Sequence, residues 1–184
     1  VQMFSEDGEF RSSFASRGKD NGQLENPQGI ALDANGNIIV TDTGNYRIQV
    51  FSNEGKWLLA FDCQNARHCV SHGGYYFVST ASENVVKVFD RSGAFVCKYG
   101  TRGASPGAFD WPTGLAVDKA GHLVVCDTSN SRVQVLNLDG TYIGSFGARG
   151  EGEAQFDYPA CVSAMSDGQL VVCDARSNTV NIFK

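Results

Sequence analysis

The chain has 184 residues, about one domain, with 15 lysines and arginines against 20 aspartates and glutamates, for a net charge of −5. A hydrophobic fraction of 42% is enough to bury a core, which excludes a disordered tail. No apolar run is long enough to span a bilayer as a helix, the first residues lack the signal-peptide pattern, and the acidic balance excludes a broad basic field for nucleic acid, leaving room for a local patch only.

Glycine is abundant (21) and proline scarce (4), the composition of short strands joined by glycine turns. The opening VQMFSEDGEFRSSF aligns with IQVFSNEGKWLLAF at 48–61. Residues 1–14 therefore read as the tail of a preceding repeat. The first full repeat begins at Pro27. Ile30–Leu32 reads as a strand closed by a turn at Asp33–Gly36, Ile38–Thr41 as a second strand ending at Asp42, and Arg47–Phe51 as a third. Alternation in the third puts Ile48 and Val50 on one face and Arg47, Gln49 and Phe51 on the other. Asn53-Glu54-Gly55 is a hairpin turn, and Trp57–Phe61 a fourth strand.

The same pattern returns at Pro112–Leu136 and Pro159–Phe183, and in weaker form at Asn65–Phe89, where the segment before Asn65 is nine residues short. Repeat cores fall at about 27–61, 65–99, 112–146 and 159–184, within one domain spanning 1–184. Four strands per repeat predict an all-β fold, a β-propeller of four-stranded antiparallel blades, with about four blades in this chain.

Cys126 and Cys173 precede Asp127 and Asp174, at the place Thr41 holds before Asp42. A place that accepts Cys or Thr is a small packing site, so reduced thiols and a cytoplasmic setting are expected. Cys63, His68, Cys69 and His72 are close enough in sequence for a zinc reading. A strand over 68–71 would point His68 and Cys69 to opposite faces, so no metal and no cofactor are expected.

The residues at 27–50 and 112–135, Pro-x-Gly-Ile/Leu-Ala-Leu/Val-Asp followed by Gly, then Asp-x-x-Asn-x-Arg-Ile/Val-Gln-Val, resemble the NHL repeat. The linking stretch TRGASPGAFDWP is similar to that family as well. In character the chain is nearest the NHL domains of tripartite-motif proteins and Brat-like regulators. The resemblance implies a propeller that is usually six-bladed and lies at the C-terminal end of a longer protein. The remaining blades of the parent would then be partners of this segment, with the terminal segments pairing to complete a blade.

Asp42 with Arg47, and Asp127 with Arg132, sit five apart around a tight turn, which predicts an ion pair bracing each of those blades. Asp33 and Asp118 begin Asx-type turns. In the second repeat Thr80, Glu83 and Val85 replace the Asp, Asn and Arg, and in the fourth Thr179 replaces the Arg, so those blades should lack the brace.

The longest loops, 16–26, 101–111 and 148–158, carry Arg17, Arg102 and Arg149 before a glycine and end in Asn26, Trp111 and Tyr158 before a proline. In NHL proteins that bind single-stranded RNA this face contacts bases. The resemblance therefore implies stacking by Trp111 and Tyr158, with Arg102 and Arg149 near phosphates and Arg176 a further candidate. Packing of both aromatics between blades is the competing structural reading. Charge weakens the RNA reading. The first two loops balance, and the third sets Arg149 against Glu151, Glu153 and Asp157.

Only three histidines are present, and neither a nucleophile elbow nor a phosphate loop is visible, so no catalytic residues are named and no enzyme is expected. The leading expectation is a non-catalytic platform that recruits a protein partner or substrate. By resemblance it would serve a tripartite-motif ubiquitin ligase whose RING lies outside this chain. The alternative is single-stranded RNA recognition for post-transcriptional repression. No membrane partner is expected.

Overall fold

The computed structural model of the chain describes residues 1–150 and 152–184. Its strands form successive antiparallel meanders. Blade 1 comprises β3 (Ile30–Leu32), β4 (Ile38–Asp42), β5 (Arg47–Phe51) and β6 (Trp57–Asp62). Blade 2 comprises β7 (Ala66–His72), β8 (Tyr75–Thr80), β9 (Val85–Asp90) and β10 (Phe95–Tyr99). Blade 3 comprises β11 (Pro112–Val117), β12 (Leu123–Asp127), β13 (Arg132–Leu136) and β14 (Tyr142–Phe146). Blade 4 has three strands, β15 (Pro159–Ala164), β16 (Leu170–Asp174) and β17 (Thr179–Phe183). Residues near the start form a two-stranded sheet, β1 (Gln2–Phe4) with β2 (Phe10–Ser13). The chain is thus an all-β propeller of four blades. β2 pairs with β1 and β17 with β16, so the two termini do not pair with each other here.

The second strands of blades 1 and 3 are apolar runs because both of their faces are covered. Ile38–Asp42 and Leu123–Asp127 are buried throughout. The alternation expected in β5 holds. Ile48 and Val50 join a core shared with blade 2 (Cys69, Tyr76, Val78), while Phe51 faces Phe14 and Leu24 on the other side. Two further interblade cores repeat this arrangement, one around Phe77, Phe109 and Leu123, the other around Val124, Phe156 and Val172. The inner strands pack in sequence, β3 on β7, β7 on β11 and β11 on β15.

Adjacent inner strands touch backbone to backbone. A Cβ on Gly29 would lie 2.8 Å from the Arg67 carbonyl, and one on Gly114 would lie 2.6 Å from Cys161 Cα. Neither glycine has a positive φ, so close approach is what requires them there. Thr41 fills its place by accepting from Gly29 N–H and donating to the Arg67 carbonyl. Cys126 is buried at the equivalent place, whereas Cys173 is exposed.

Strand register corrects one detail of the repeat alignment. Ala66, not Asn65, pairs with Thr80 as Pro112 pairs with Asp127. Asn65 therefore occupies the pre-proline place, and its φ of +59° matches the +48° of Asn26 and the +58° of Trp111. The cause is the β7–β8 connection, a two-residue Gly73-Gly74 turn, where the other blades use longer turns built on Asp33 and Asp118.

Candidate functional site

The ion pairs predicted from spacing are present, and they brace more than their own blades. Arg47 Nε donates to Asp42 Oδ2 at 2.7 Å, and the Arg47 Nη2 donates onward to the Asp20 and Gln23 carbonyls of the loop before the blade. Asp42 also accepts from Glu25 N–H, Asn45 Nδ2 and Gln49 Nε2. Blade 3 repeats the set. Arg132 bridges Asp127 to Ser105 and Ala108, and Asn130, Gln134 and Asp110 N–H complete the shell around a fully buried Asp127.

An apolar residue pins each long loop beneath this network. Leu24, Phe109 and Phe156, each three residues before the proline, are buried. Parallel bridges join Arg17 to Leu24, Arg102 to Phe109 and Arg149 to Phe156. Gly18, Gly103 and Gly150 share a φ of +155°. The three loops therefore share one set of anchors.

Blade 2 lacks both the brace and the long loop that the brace would hold. In the Asn and Gln places stand Glu83 and Lys87, which pair with each other at 2.7 Å. Blade 4 keeps the loop and half of the brace. Asp174 accepts from the backbone N–H groups of Asp157 and Tyr158 although Thr179 stands in the arginine place opposite it. The expectation that these blades lack the Asp–Arg brace therefore stands. Blade 2 carries only the partly exposed Glu83–Lys87 pair, and in blade 4 the carboxylate alone still anchors the loop.

At the end of the channel where these loops emerge, residues from four blades line a cavity of about 360 Å³. Gln28, Arg67, His68, Trp111 and Tyr158 form much of its wall. Trp111 is half-buried and left-handed, unusual backbone for a bulky side chain. Its N–H is held by Asn84 Oδ1 at 2.8 Å. The Arg67 guanidinium lies over the Trp111 ring, 5.3 Å from its centroid, and donates to Gln28 Oε1 at 2.8 Å. Arg176 lies over Tyr158 at 4.8 Å, with Asp157 at 3.8 Å. Tyr158 also walls a second, smaller cavity of about 140 Å³ with Arg149 and Arg176. His68 keeps a buried Nδ1 without a hydrogen-bond partner among the described residues, and burial pushes its imidazole below its ordinary pKa.

Of the residues nominated from the sequence, the structure thus brings together Trp111, Tyr158, Arg149 and Arg176. Arg17 is engaged elsewhere, donating to both carboxylate oxygens of Glu25 at 3.0 Å, and Asn26 and Arg102 are exposed away from the two cavities. Glu151, counted in the third loop, lies outside the described residues. Arg67 and Gln28 were missed. The ungapped alignment put Arg67 in a glycine place, and the one-residue shift at Asn65 is what carries it onto this face. The four candidate zinc ligands do not converge. Cys63 and Cys69 are buried in the first interblade core, His68 lines the channel mouth, and His72 sits on the hairpin at the opposite end of β7. Among the described residues no group of three or more His, Cys, Asp or Glu is placed to hold a metal ion, and no helix is long and apolar enough to cross a membrane.

The NHL repeat family matches residues 24–51, 109–136 and 156–183, the three repeats with a long loop. Among curated proteins, the chain is 31% identical over 123 residues to Protein brain tumor of Drosophila melanogaster, covering 61% of this chain and 11% of that protein. It is 48% identical over 42 residues to Tripartite motif-containing protein 3 of Mus musculus, covering 23% of this chain and 6% of that one. The chain thus spans a small fraction of the curated relatives it matches. Solved structures share the fold. A nidogen/laminin complex aligns with a TM-score of 0.72 at 21% identity, over 97% of this chain and 65% of that one. A catalytically inactive virginiamycin B lyase from Staphylococcus aureus aligns with a TM-score of 0.71 at 15% identity, over 100% of this chain and 59% of that one. Repeats, blades and matched residues coincide, and the chain is a β-propeller that carries three NHL repeats and matches tripartite-motif NHL proteins in part.

Proposed function

We propose that this domain is a non-catalytic platform that binds a protein partner through the channel-mouth face. The observation that carries this reading is the cleft walled by Arg67, Trp111 and Tyr158, three side chains from different blades, with Trp111 and Tyr158 at the ends of carboxylate-anchored loops and Arg67 on β7. Aromatic and arginine side chains gathered in a half-buried cleft have the composition of interface hot spots. Such a site binds without needing a metal or a nucleophile. The finer reading is recruitment of a substrate to a tripartite-motif ubiquitin ligase, with the RING outside this chain. It rests on the NHL resemblance and on the local match to Tripartite motif-containing protein 3. Six free cysteines fit a reducing, cytoplasmic setting.

Single-stranded RNA recognition is the second reading. It is favoured by the exposed, repeated placement of Arg102 and Arg149, the second of them beside Tyr158. The test is binding of the chain to a random single-stranded RNA pool and to candidate protein partners, at low and near-physiological salt, with a Trp111→Ala/Tyr158→Ala double variant. Protein binding that persists in salt and is lost in the folded variant supports the platform. Steeply salt-sensitive RNA binding lost in the same variant replaces it with RNA recognition.

A further inference from the structure

Arg67 and Arg176 each lie over an aromatic ring, so one face of Trp111 and one face of Tyr158 are already taken. A nucleobase would have to displace a guanidinium to stack on either of these faces. The stacked guanidinium, by contrast, keeps its in-plane N–H groups free at the edge, in the fork geometry that fits a carboxylate. Arg67 spends one of these on Gln28 and has no carboxylate within ion-pair distance among the described residues. Holding it on Trp111 removes much of the side-chain entropy that a surface arginine loses on binding. Around this pair the loops are neutral to acidic, a poor field for a polyphosphate chain but no obstacle to one or two carboxylates at fixed points.

We propose that the channel-mouth cleft and the smaller cavity beside it take a short acidic peptide segment, with Arg67 forking one carboxylate, Arg176 exchanging its 3.8 Å contact with Asp157 for a second, and Trp111 and Tyr158 as apolar platforms between them. This rests on the platform reading and names the chemistry of its partner.

The test uses random octapeptides displayed on phage, selected on the 184-residue chain at near-physiological salt. The expected result is enrichment of peptides carrying two Asp or Glu residues near an apolar one. Their synthetic counterparts should lose about tenfold in affinity to Arg67→Gln and recover little with Arg67→Lys, which keeps the charge and loses the fork. Thermal melts establish that the variants are folded, and Arg176→Gln serves as a second, exposed substitution. Enriched peptides without acids, or binding indifferent to both arginines, overturn the proposal while leaving the platform reading in place. No enrichment at all counts against both. A single-stranded RNA pool that competes with the peptides and loses binding in Arg67→Gln assigns the cleft to phosphate instead and overturns the proposal.

Discussion

Asp42 and Arg47 meet at 2.7 Å across the β4–β5 turn, and Asp127 and Arg132 meet at the same distance in the equivalent turn two blades on. In both blades the aspartate is fully buried and the arginine reaches on to two carbonyls of the preceding loop. Removing the arginine strands a buried carboxylate, so Arg132→Ala should destabilise the chain by about 3–5 kcal/mol. Lys87→Ala breaks only the partly exposed pair with Glu83 and should cost about 0.5 kcal/mol. Denaturant unfolding of the two variants measures the contrast. Equal costs would mean that the Arg132 network is no more than a surface pair.

The inner-strand glycines make a second contrast. Gly114→Ala drives a Cβ to within 2.6 Å of the Cys161 backbone, which neither strand can yield without separating blades 3 and 4. A loss of about 1–3 kcal/mol is expected from such overpacking. Gly144, within β14, has open space around its Cβ position and no positive φ. Gly144→Ala should be neutral or should stabilise by about 0.5 kcal/mol, since glycine is a poor strand residue. The two melting temperatures, compared with wild type, decide the matter. A Gly114→Ala protein as stable as wild type would deny the close packing of β11 on β15.

Much of this was legible in the chain because repetition turns one sequence into several readings of the same structure. Asp at the end of one strand and Arg at the start of the next, five apart in two repeats, specified the ion pair. Alternation in Arg47–Phe51 specified its two buried faces. The loop anchors Leu24, Phe109 and Phe156 were equally readable at three residues before each proline, but an isolated apolar residue in a glycine-rich loop gives no periodic signal. Arg67 was not readable. Its position depends on where the β7–β8 turn takes up a shortened connection, and strand pairing sets that, not residue type. A one-residue slip moves every side chain of a strand to the other face. The same limit applied to the aromatic row. Spacing put Trp111 and Tyr158 at equivalent places, whereas the arginines that cover them come from a different blade in one case and from the β16–β17 turn in the other.

Asp174 should make the third long loop acid-sensitive. Burial pushes its carboxyl up, but the N–H groups of Tyr158, Asp157 and Ser177 outweigh this and hold it below the ordinary 3.8. A carboxylate with a depressed folded pKa stabilises the folded state above its unfolded value, and that contribution is lost as pH falls through the folded value. The 148–158 loop should therefore loosen below about pH 4. Asp174→Asn should remove that part of the acid response and lower stability at pH 7. Hydrogen exchange at Asp157 and Tyr158 as a function of pH is the readout. Protection that is flat from pH 6 to pH 3 would exclude the carboxylate as the anchor.

Five of the six cysteines should divide by depth under a thiol-directed reagent, with the half-buried Cys97 between the two groups. Burial pushes the thiols of Cys63 and Cys69 up to about 12 and raises that of Cys126 well above its ordinary value. These three lie in interblade cores and present neither thiolate nor access. Cys161 and Cys173 face each other across β15 and β16 and are exposed. Burial, and then the neighbouring Cys173, raises the Cys161 thiol, so Cys173 should react first and Cys161 second. Timed iodoacetamide labelling at pH 8, mapped by peptide mass spectrometry, gives the order. Cys63, Cys69 and Cys126 should label only at the rate at which the blades separate. Modification of Cys126 as fast as Cys173 in the folded protein would mean that blades 3 and 4 are not packed as described.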